Sequence, residues 1–516
     1  MTSTTSAAQA VPRKTVWVRD FTASIVVFLV AMPLCMGIAV ASGVPPEKGL
    51  ISGIIGGIIV GALAGSPLQV TGPAAGLAVI VFELVRQYGL AALGPMLLLA
   101  GGVQFLAGVA RLGGWFRAIS PAVVHGMLAG IGVLIFIGQF HVLFGDSPKP
   151  SGVQNLLAIP VSLFRLFTES DSTAGAFAAG IITIIAMLGW EKFRPATLRL
   201  VPGALVGVTL GTLVAFFLQL DVARVDVPES IFATLTWPVL SDFTGLMSPA
   251  FIATAVAVAF IASAETLISA AAVDRMHNGP RTDYDKELRA QGIGNLLCGA
   301  VGALPMTGVI VRSSANIQAG AMTRASAVLH GVWILAFVMG LPWLLREIPM
   351  AALAGILVVT GWRLVSLEHV RHLYHHHGVL PAMIWAATLI MVVATDLLTG
   401  VLTGLALSLL ELAPHIRNLK LHVDVERKAE GVELQLRGRA TFFSLPRLAK
   451  ILDGLPSNGR IRIDVAGLAL IDHTCAEVLT DWIQRKRSAG VQLELAGLKA
   501  TGGSGSYRRL VEAASA

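Results

Sequence analysis

The sequence predicts a polytopic α-helical membrane protein with a small α/β domain at its C-terminal end. Only 13% of the 516 residues are Asp, Glu, Lys or Arg, and the mean hydropathy is +0.74. Soluble domains carry about 25% charged residues, so this composition excludes a soluble enzyme. The charges are also uneven, because the last 102 residues hold 27 of the 69. We therefore predict a tail at 1–15, a transmembrane domain at 16–415 and a soluble domain at 421–516.

Uncharged windows long enough to enter a membrane recur through the first 410 residues. A span needs about 20 apolar residues. The window 49–82 is too long for one helix, and Gly65, Ser66 and Pro67 mark a turn inside it. The result is about fourteen segments, taken from the windows 21–46, 49–82, 87–110, 118–145, 172–190, 200–220, 243–264, 290–311, 325–345, 348–362, 372–395 and 397–410.

The distribution of basic residues predicts the orientation. With the N-terminus in the cytoplasm and alternating spans, fifteen Lys or Arg residues of the membrane domain fall inside and six fall outside. This asymmetry follows the positive-inside rule and predicts an inner or plasma membrane protein with both termini cytoplasmic. The basic C-terminal tail is expected to face an anionic membrane leaflet. No nucleic-acid partner is expected, because the sequence has no basic cluster with interleaved aromatic residues.

Two segments carry Gly and Pro at corresponding places, the third and the tenth. The first contains Gln69-Val70-Thr71-Gly72-Pro73-Ala74-Ala75-Gly76 and the second Leu304-Pro305-Met306-Thr307-Gly308-Val309. A helix that begins inside the membrane has unpaired N–H groups at its positive end, which favour an anion. Such paired interruptions are typical of inverted-repeat transporters with a site at the midplane.

Two charged residues lie in otherwise apolar segments. Glu265 is surrounded by an uncharged stretch, with Ser269 one turn later on the same helical face. The carboxylate predicts a site for a coupling cation or a proton, or alternatively a structural ion pair. Arg312 follows the second interruption by one turn, where a guanidinium complements an anion or neutralises Glu265.

Several motifs resemble the SulP family of anion transporters. They are the Gln69–Gly76 run, Ser120-Pro121-Ala122-Val123-Val124-His125-Gly126, Arg289-Ala290-Gln291-Gly292-Ile293-Gly294-Asn295, and Arg312-Ser313-Ser314-Ala315-Asn316-Ile317-Gln318-Ala319-Gly320. The resemblance covers about residues 16–500. It implies fourteen segments in two inverted repeats of seven, with a core bundle that moves against a gate.

The resemblance also implies roles for individual residues. Anions in this family lie between the N-termini of segments 3 and 10, and the matching positions are Thr71, Gly72, Ala74, Ala75, Thr307, Gly308, Val309 and Arg312. Glu265 matches a carboxylate that is an Asp in the sodium-coupled bicarbonate branch, with Ser269 as its hydroxyl partner. Met36 departs from the family, because many relatives have a polar or acidic residue before the glycine of segment 1.

The tail alternates strand and helix patterns. Residues 432–436, 461–465 and 491–495 predict strands, and 474–486 predicts an amphipathic helix. This order resembles a STAS domain, which implies a docking or dimer-supporting role with a cytoplasmic partner. A homodimer is also expected, and Gly502–Ser506 suggests a flexible linker.

Together these features predict a secondary transporter of a small inorganic anion, bicarbonate or sulfate, that works by alternating access. No P-loop is present to use ATP, and no enzymatic activity is expected. No cofactor is expected beyond a coupling ion, either sodium at Glu265 and Ser269 or a proton. Alternatives are a dicarboxylate transporter or anion exchanger of the same family, a channel, or a nucleobase permease. The permease would need a carboxylate in segment 10, where this chain has Arg312.

Overall fold

The structure is a computed structural model that describes most of the chain. It covers residues 12–497 except 117–119, 150, 169–170, 199, 229, 240–242, 244–247, 278, 368–369, 372–373, 376–378, 413–420, 429–430, 442–443, 457–458 and 489. Most of the predicted tail at 1–15 and the whole 502–506 linker lie outside these residues. Two compact units are present, Met1–Gly113 with Leu134–Gly361, and Gly114–Val133 with Trp362–Ala516.

Among the described residues, the membrane part contains fifteen helices of nine or more residues and two very short strands. In chain order they are α1 Arg13–Ala41, α2 Pro46–Ile55, β1 Thr71–Pro73, α3 Ala78–Tyr88, α4 Leu93–Val109, α5 Pro121–Leu143, α6 Gly152–Thr168, α7 Asp171–Phe193, α8 Gly203–Phe217, α9 Pro249–Met276, α10 Tyr284–Ala300, β2 Met306–Gly308, α11 Ile310–Gln318, α12 Ala325–Gly340, α13 Met350–Leu364, α14 Val379–Ala394 and α15 Leu397–Leu412. Helix α2 continues through a π-helical turn, Gly56–Val60, to Leu63.

Six of these helices are long and apolar enough to cross a membrane: α1, α2 with its continuation, α4, α5, α7 and α9. With the shorter and interrupted segments, the described helices match the predicted set of about fourteen. Two differences stand out. Helix α6 was not predicted, because Lys149 and Arg165 confine its apolar run to fewer than 20 residues. The window 290–311 is two elements, since α10 ends at Ala300 and β2 begins at Met306.

One sequence of elements occurs twice. A long helix, a second helix, a three-residue strand, a short helix and an apolar helix form α1–α2–β1–α3–α4, and again α9–α10–β2–α11–α12. The two strands pair antiparallel, with Thr71 opposite Gly308 and Pro73 opposite Met306. The interruptions predicted in both segments are therefore present, and each interruption supplies one strand of a shared bridge.

Glycines bring α10 into close contact with α4. A Cβ on Gly292 would lie 2.5 Å from the backbone nitrogen of Phe105, and one on Gly299 would lie 2.6 Å from that of Leu98. Small residues let helix backbones approach closely in membrane proteins, where packing replaces the hydrophobic effect between helices. This contact fixes α10 beside the strand bridge.

The C-terminal part is the predicted α/β domain. It contains β3 Leu421–Lys428, β4 Gly431–Ala440, α16 Leu445–Asp453, β5 Arg460–Ile471, α17 His473–Ser488 and β6 Gln492–Ala496. The sheet order is β3-β4-β5-β6, with β3 antiparallel and the other neighbours parallel. Alternate residues of the strands, such as Leu434 and Ile463, are fully buried against α16 and α17. The three predicted strands and the helix at 474–486 are confirmed. Strands β4 and β5 and helix α17 are longer than predicted, and β6 is shifted by one residue.

Candidate functional site

The antiparallel bridge between β1 and β2 is the centre of the candidate site. Beyond the ladder, Val309 N donates to Val70 O at 2.9 Å, and Val70 N donates to Ser313 Oγ at 2.9 Å. The Ser313 hydroxyl in turn donates to Val309 O at 2.7 Å. These bonds satisfy backbone groups that irregular chain would otherwise leave unpaired inside a membrane. They also hold the start of α11 against β1.

Each strand leads directly into a short helix. Helix α3 has 11 residues and is preceded by a 3-10 turn at Ala75–Leu77, whereas α11 has nine residues and follows Val309. The first N–H groups of a helix have no acceptor within that helix and carry a partial positive charge. Because the strands are antiparallel, the two helices leave the bridge in opposite directions with both N-termini at its ends.

The structure brings the sequence-predicted anion residues together at this bridge. Thr71, Gly72, Thr307 and Gly308 belong to the strands and are buried. Ala74 is buried in the connection to α3. Ala75 and Val309 lie at the helix starts and are partly exposed.

A stripe of polar side chains on α10, which the sequence analysis did not assign, holds both strands. Gln291 Nε2 donates to Thr71 Oγ1 at 2.8 Å. Asn295 accepts from Met306 N at 2.8 Å and donates to Met306 O at 3.1 Å, so it bonds both backbone groups of one β2 residue. All three helix residues of the stripe, Glu287, Gln291 and Asn295, are buried. Their spacing of four, which places all three on one face of α10, was the signal that could have identified them.

The stripe extends in two directions. Glu287 Oε2 accepts from the backbone nitrogens of Gly65 and Ser66 at 2.8 and 2.9 Å, which fixes the turn between α2 and β1. Asn295 Nδ2 donates to Gln104 Oε1 at 2.7 Å, and Gln104 Nε2 donates to Ser263 Oγ of α9 at 3.2 Å. One hydrogen-bonded network thus connects α4, α9, α10 and both strands.

Helix α9 presents Glu265 to the bridge. A Cβ on Gly76 would lie 2.6 Å from Glu265 Oε2, so the carboxylate is packed against the first turn of the α3 region. The Thr307 hydroxyl lies beside the same carboxylate, without a hydrogen bond of regular geometry between the two side chains. Glu265 Oε2 and Thr307 Oγ1 are buried and have no hydrogen-bond partner within the described residues. Such oxygens are suitable ligands for a hard cation or acceptors for a proton.

The neighbours of Glu265 fix this helix to the bridge. Thr266 Oγ1 accepts from Gly308 N at 3.1 Å, and Thr266 O accepts from Gln69 Nε2 at 2.9 Å. Ser269 lies one turn after Glu265 and is buried. The predicted pair Glu265 and Ser269 is therefore placed on the helix that bonds β2 and the Gln69 side chain just before β1.

Arg312 lies on the first turn of α11 and has no exposed surface. A Cβ on Gly72 would overlap its Nη1 atom, so the guanidinium is packed on the backbone of β1. No ion pair joins it to Glu265 among the described residues, whereas Glu265 contacts Gly76. The alternative in which Arg312 neutralises Glu265 directly is thus not found.

Comparison with known proteins matches this architecture. A profile described as "Sulfate permease family" matches residues 18–388, and one described as "Mlab, STAS domain" matches 423–514. The "Bicarbonate transporter BicA" of Picosynechococcus is 26% identical over 73% of this chain and 66% of its own length. The "Sodium-independent sulfate anion transporter" of Bos taurus is 25% identical over 93% of this chain and 83% of its own length. The protein YvdB of Bacillus subtilis, provisionally named a sulfate transporter, is 31% identical over 76% of this chain and 72% of its own length.

Solved structures show the same fold. "The transmembrane domain of a cyanobacterium bicarbonate transporter BicA" superposes with a TM-score of 0.66 at 24% identity, covering 74% of this chain and 97% of that one. "The overall structure of SLC26A9" superposes with a TM-score of 0.67 at 14% identity, covering 97% of this chain and 87% of that one. The second comparison spans both the helical part and the C-terminal domain.

Proposed function

The chain belongs to the sulfate permease family and ends in a STAS domain, and on that premise we propose that it is a secondary transporter of bicarbonate or sulfate. The observation that carries the proposal is the antiparallel bridge, because a short helix starts from each of its two ends. Two such termini supply unpaired N–H donors and partial positive charge to an anion. Relatives named for bicarbonate and for sulfate transport support these two substrates.

The anion would bind to backbone groups at the ends of the bridge. Its contacts are proposed to come from Thr71, Gly72, Ala74 and Ala75 of segment 3 and from Thr307, Gly308 and Val309 of segment 10. Arg312 would add positive charge from behind Gly72 rather than as an exposed ligand, because its side chain is fully buried. Alternating access of the bridge to the two sides of the membrane would then move the anion.

Glu265 is proposed to couple transport to sodium or protons. Glu265 Oε2 and the Thr307 hydroxyl, which are buried and have no regular hydrogen bond within the described part of the chain, provide two neighbouring oxygens. Ser269 provides a third on the same helix as Glu265. A cation or proton there would neutralise a carboxylate that otherwise competes with the substrate for the α3 terminus. Neutralisation and anion binding would therefore favour each other.

The proposal extends to the membrane location and the assembly of the protein. We propose an inner or plasma membrane location with cytoplasmic termini, a homodimer, and a STAS domain that docks a cytoplasmic partner or supports the dimer. Exchange of anions, or transport of dicarboxylates, is the alternative within the family. Backbone N–H groups distinguish poorly between oxyanions, so the substrate has to be measured.

Uptake into liposomes tests the proposal. The purified full chain is reconstituted, and labelled bicarbonate, sulfate and dicarboxylate are offered with an imposed sodium gradient, proton gradient or neither. We expect saturable uptake of bicarbonate or sulfate, with a KM raised by Arg312→Ala. The exposed Arg86, paired with Glu83, provides the control variant Arg86→Ala. Uptake of neither anion, or an unchanged KM in Arg312→Ala, would contradict the proposal.

A further inference from the structure

The two helix starts at the bridge offer backbone donors to an anion. Helix α11 has Val309 as its N-cap and the 3-10 turn before α3 has Ala74, and no side chain of the described residues caps either start. Val309 N donates to Val70 O, and the first bond inside α11 runs from Ser313 N to Val309 O. The N–H groups of residues 310–312 are therefore the donors that α11 presents.

The exposed side chains on these turns are all apolar. Ile310 and Val311, on the first turn of α11, are 39% and 42% exposed. Ala75, at the start of the 3-10 turn, is partly exposed. Ser313 is buried, and both hydrogen bonds of its hydroxyl go to the backbone of the bridge. The rim formed by Ala75, Ile310 and Val311 therefore adds neither a hydrogen bond nor a charge to a bound anion.

Two charged side chains pack on the bridge, and their signs are opposite. Arg312 has no exposed surface and packs on Gly72, whereas Glu265 packs on Gly76. Their formal charges cancel while Glu265 is ionised, and one positive charge remains when the proposed coupling ion neutralises it. Glu287 bonds the backbone of the turn between α2 and β1 and adds no positive charge. The two helix starts contribute only partial charges.

From this balance of charge we infer that the site takes a monovalent anion, so that of the two proposed substrates it carries bicarbonate and discriminates against sulfate. The inference rests on the proposed function, because it concerns the anion site at the bridge. Bicarbonate has one negative charge at neutral pH, which the charge of Arg312 balances. Sulfate and dicarboxylates have two, and one of them would remain unbalanced inside the membrane, where an unpaired charge is costly.

The apolar rim acts in the same direction. A divalent anion holds its hydration water more strongly than a monovalent anion, because the hydration free energy of an ion grows with the square of its charge. Hydroxyl groups or cations on the rim would replace that water, but Ile310, Val311 and Ala75 supply neither. Backbone N–H groups distinguish poorly between the shapes of oxyanions. Charge is therefore the property by which this site selects its substrate.

Parallel uptake of two labelled anions into liposomes that contain the full chain tests the inference. Labelled bicarbonate and labelled sulfate are offered at equal concentration and ionic strength with the same cation gradient. Uptake by liposomes without protein is subtracted, because carbon dioxide crosses lipid unaided. We expect kcat/KM to favour bicarbonate by about a hundredfold, the effect of leaving one charge unpaired. Unlabelled nitrate should compete with bicarbonate, and unlabelled oxalate should not.

The possible outcomes separate the inference from the proposed function. Sulfate carried as well as bicarbonate, or oxalate competing as well as nitrate, would overturn the inference and leave the proposed function intact. Uptake of neither labelled anion would overturn both.

Lysine substitutions on the rim test the balance of charge. Val311→Lys adds one positive charge to the first turn of α11, and we expect the inhibition constant of sulfate against bicarbonate uptake to fall about tenfold relative to that of nitrate. Ile310→Lys repeats the test from the neighbouring position. Val311→Gln adds a polar group without charge and is the matched control, whose ratio of the two constants should equal the parent's.

The ratio is measured within one protein, so a loss of folded protein affects both anions alike. A ratio that both lysine variants leave unchanged would overturn the inference. The same holds for a ratio that Val311→Gln changes as much as Val311→Lys does.

Discussion

The carboxylate of Glu265 rests on the backbone of Gly76, so closely that a Cβ at Gly76 would lie 2.6 Å from Oε2. Glu265 comes from α9, and Gly76 belongs to the 3-10 turn that precedes α3. The contact therefore places a negative group beside one of the two helix starts proposed to hold the anion. A carboxylate near a helix N-terminus is favourable, so it competes with a substrate anion for the same positive end.

Gly76→Ala should disturb this contact. The added methyl group meets Oε2 and the rest of the carboxylate, which must shift or leave the helix start. Overpacking of this kind costs about 1–3 kcal/mol. We expect a lower melting temperature of the purified protein together with altered coupling in the liposome assay. Gly102→Ala on α4 is the matched control, since its methyl group would meet open space and a helical Ala is favoured over Gly. Equal effects of the two substitutions would argue against the contact.

Glu265→Gln should separate anion binding from coupling. The amide is nearly the same size but cannot be neutralised by a proton or balance a cation. We expect gradient-driven accumulation to be lost, while exchange of labelled anion at equal concentrations continues. Glu83→Gln, which changes an exposed carboxylate paired with Arg86, is the control. Accumulation that persists unchanged in Glu265→Gln would exclude the coupling role.

The interrupted segments were predictable because their cause is local. Pro73 and Pro305 lack N–H groups and lie within three residues of a glycine, so a continuous helix at either place is unfavourable in the sequence itself. The buried charges of Glu265 and Arg312 were predictable for a similar reason, since each is the single ionisable group in an apolar stretch. The strands of the C-terminal domain were predictable because apolar and polar residues alternate in them with a period of two.

The contacts among these elements were not predictable. The pairing of Thr71 with Gly308 joins positions more than 200 residues apart, and no local pattern specifies a partner at that distance. The roles of Gln291 and Asn295 depend on α4 and α10 approaching through their glycines. Arg312 and Glu265 were likewise candidates for an ion pair from charge alone, and only the fold shows that each contacts a different glycine.

Asn295→Leu should loosen the bridge. It removes the acceptor for Met306 N and the donor for Met306 O, and leaves both backbone groups buried. Each unsatisfied buried group costs about 1–3 kcal/mol, so we expect a clear fall in melting temperature and a raised KM. Asn295→Asp keeps the acceptor and should be milder. The exposed Gln318, changed to Leu, is the control. An intact melting temperature in Asn295→Leu would show that the α10 stripe does not hold β2.

Stability should depend on pH through His277, which follows the end of α9 outside the membrane-spanning segment. Burial lowers the pKa of His277 below its ordinary value of 6.5. The negative charge of Asp274, whose Oδ1 lies 4.0 Å from His277 Nε2, acts to raise this pKa, and the positive charge of Arg281 lowers it further. The unfolded chain therefore binds a proton near pH 6.5 that the folded chain does not yet bind. Stability should accordingly fall as the pH drops through 6.5 and recover as it rises.

His277→Gln isolates this contribution from those of other titrating groups. Gln stays neutral at every pH, so the difference in melting temperature between variant and parent should shift in favour of the variant below about pH 6.5. Melting curves of the purified protein at several pH values between about 5.5 and 7.5 measure that difference. His422, which is exposed on β3, gives the control variant His422→Gln. A difference for His277→Gln that stays constant across this range would show that His277 binds its proton equally well in the folded and unfolded chains.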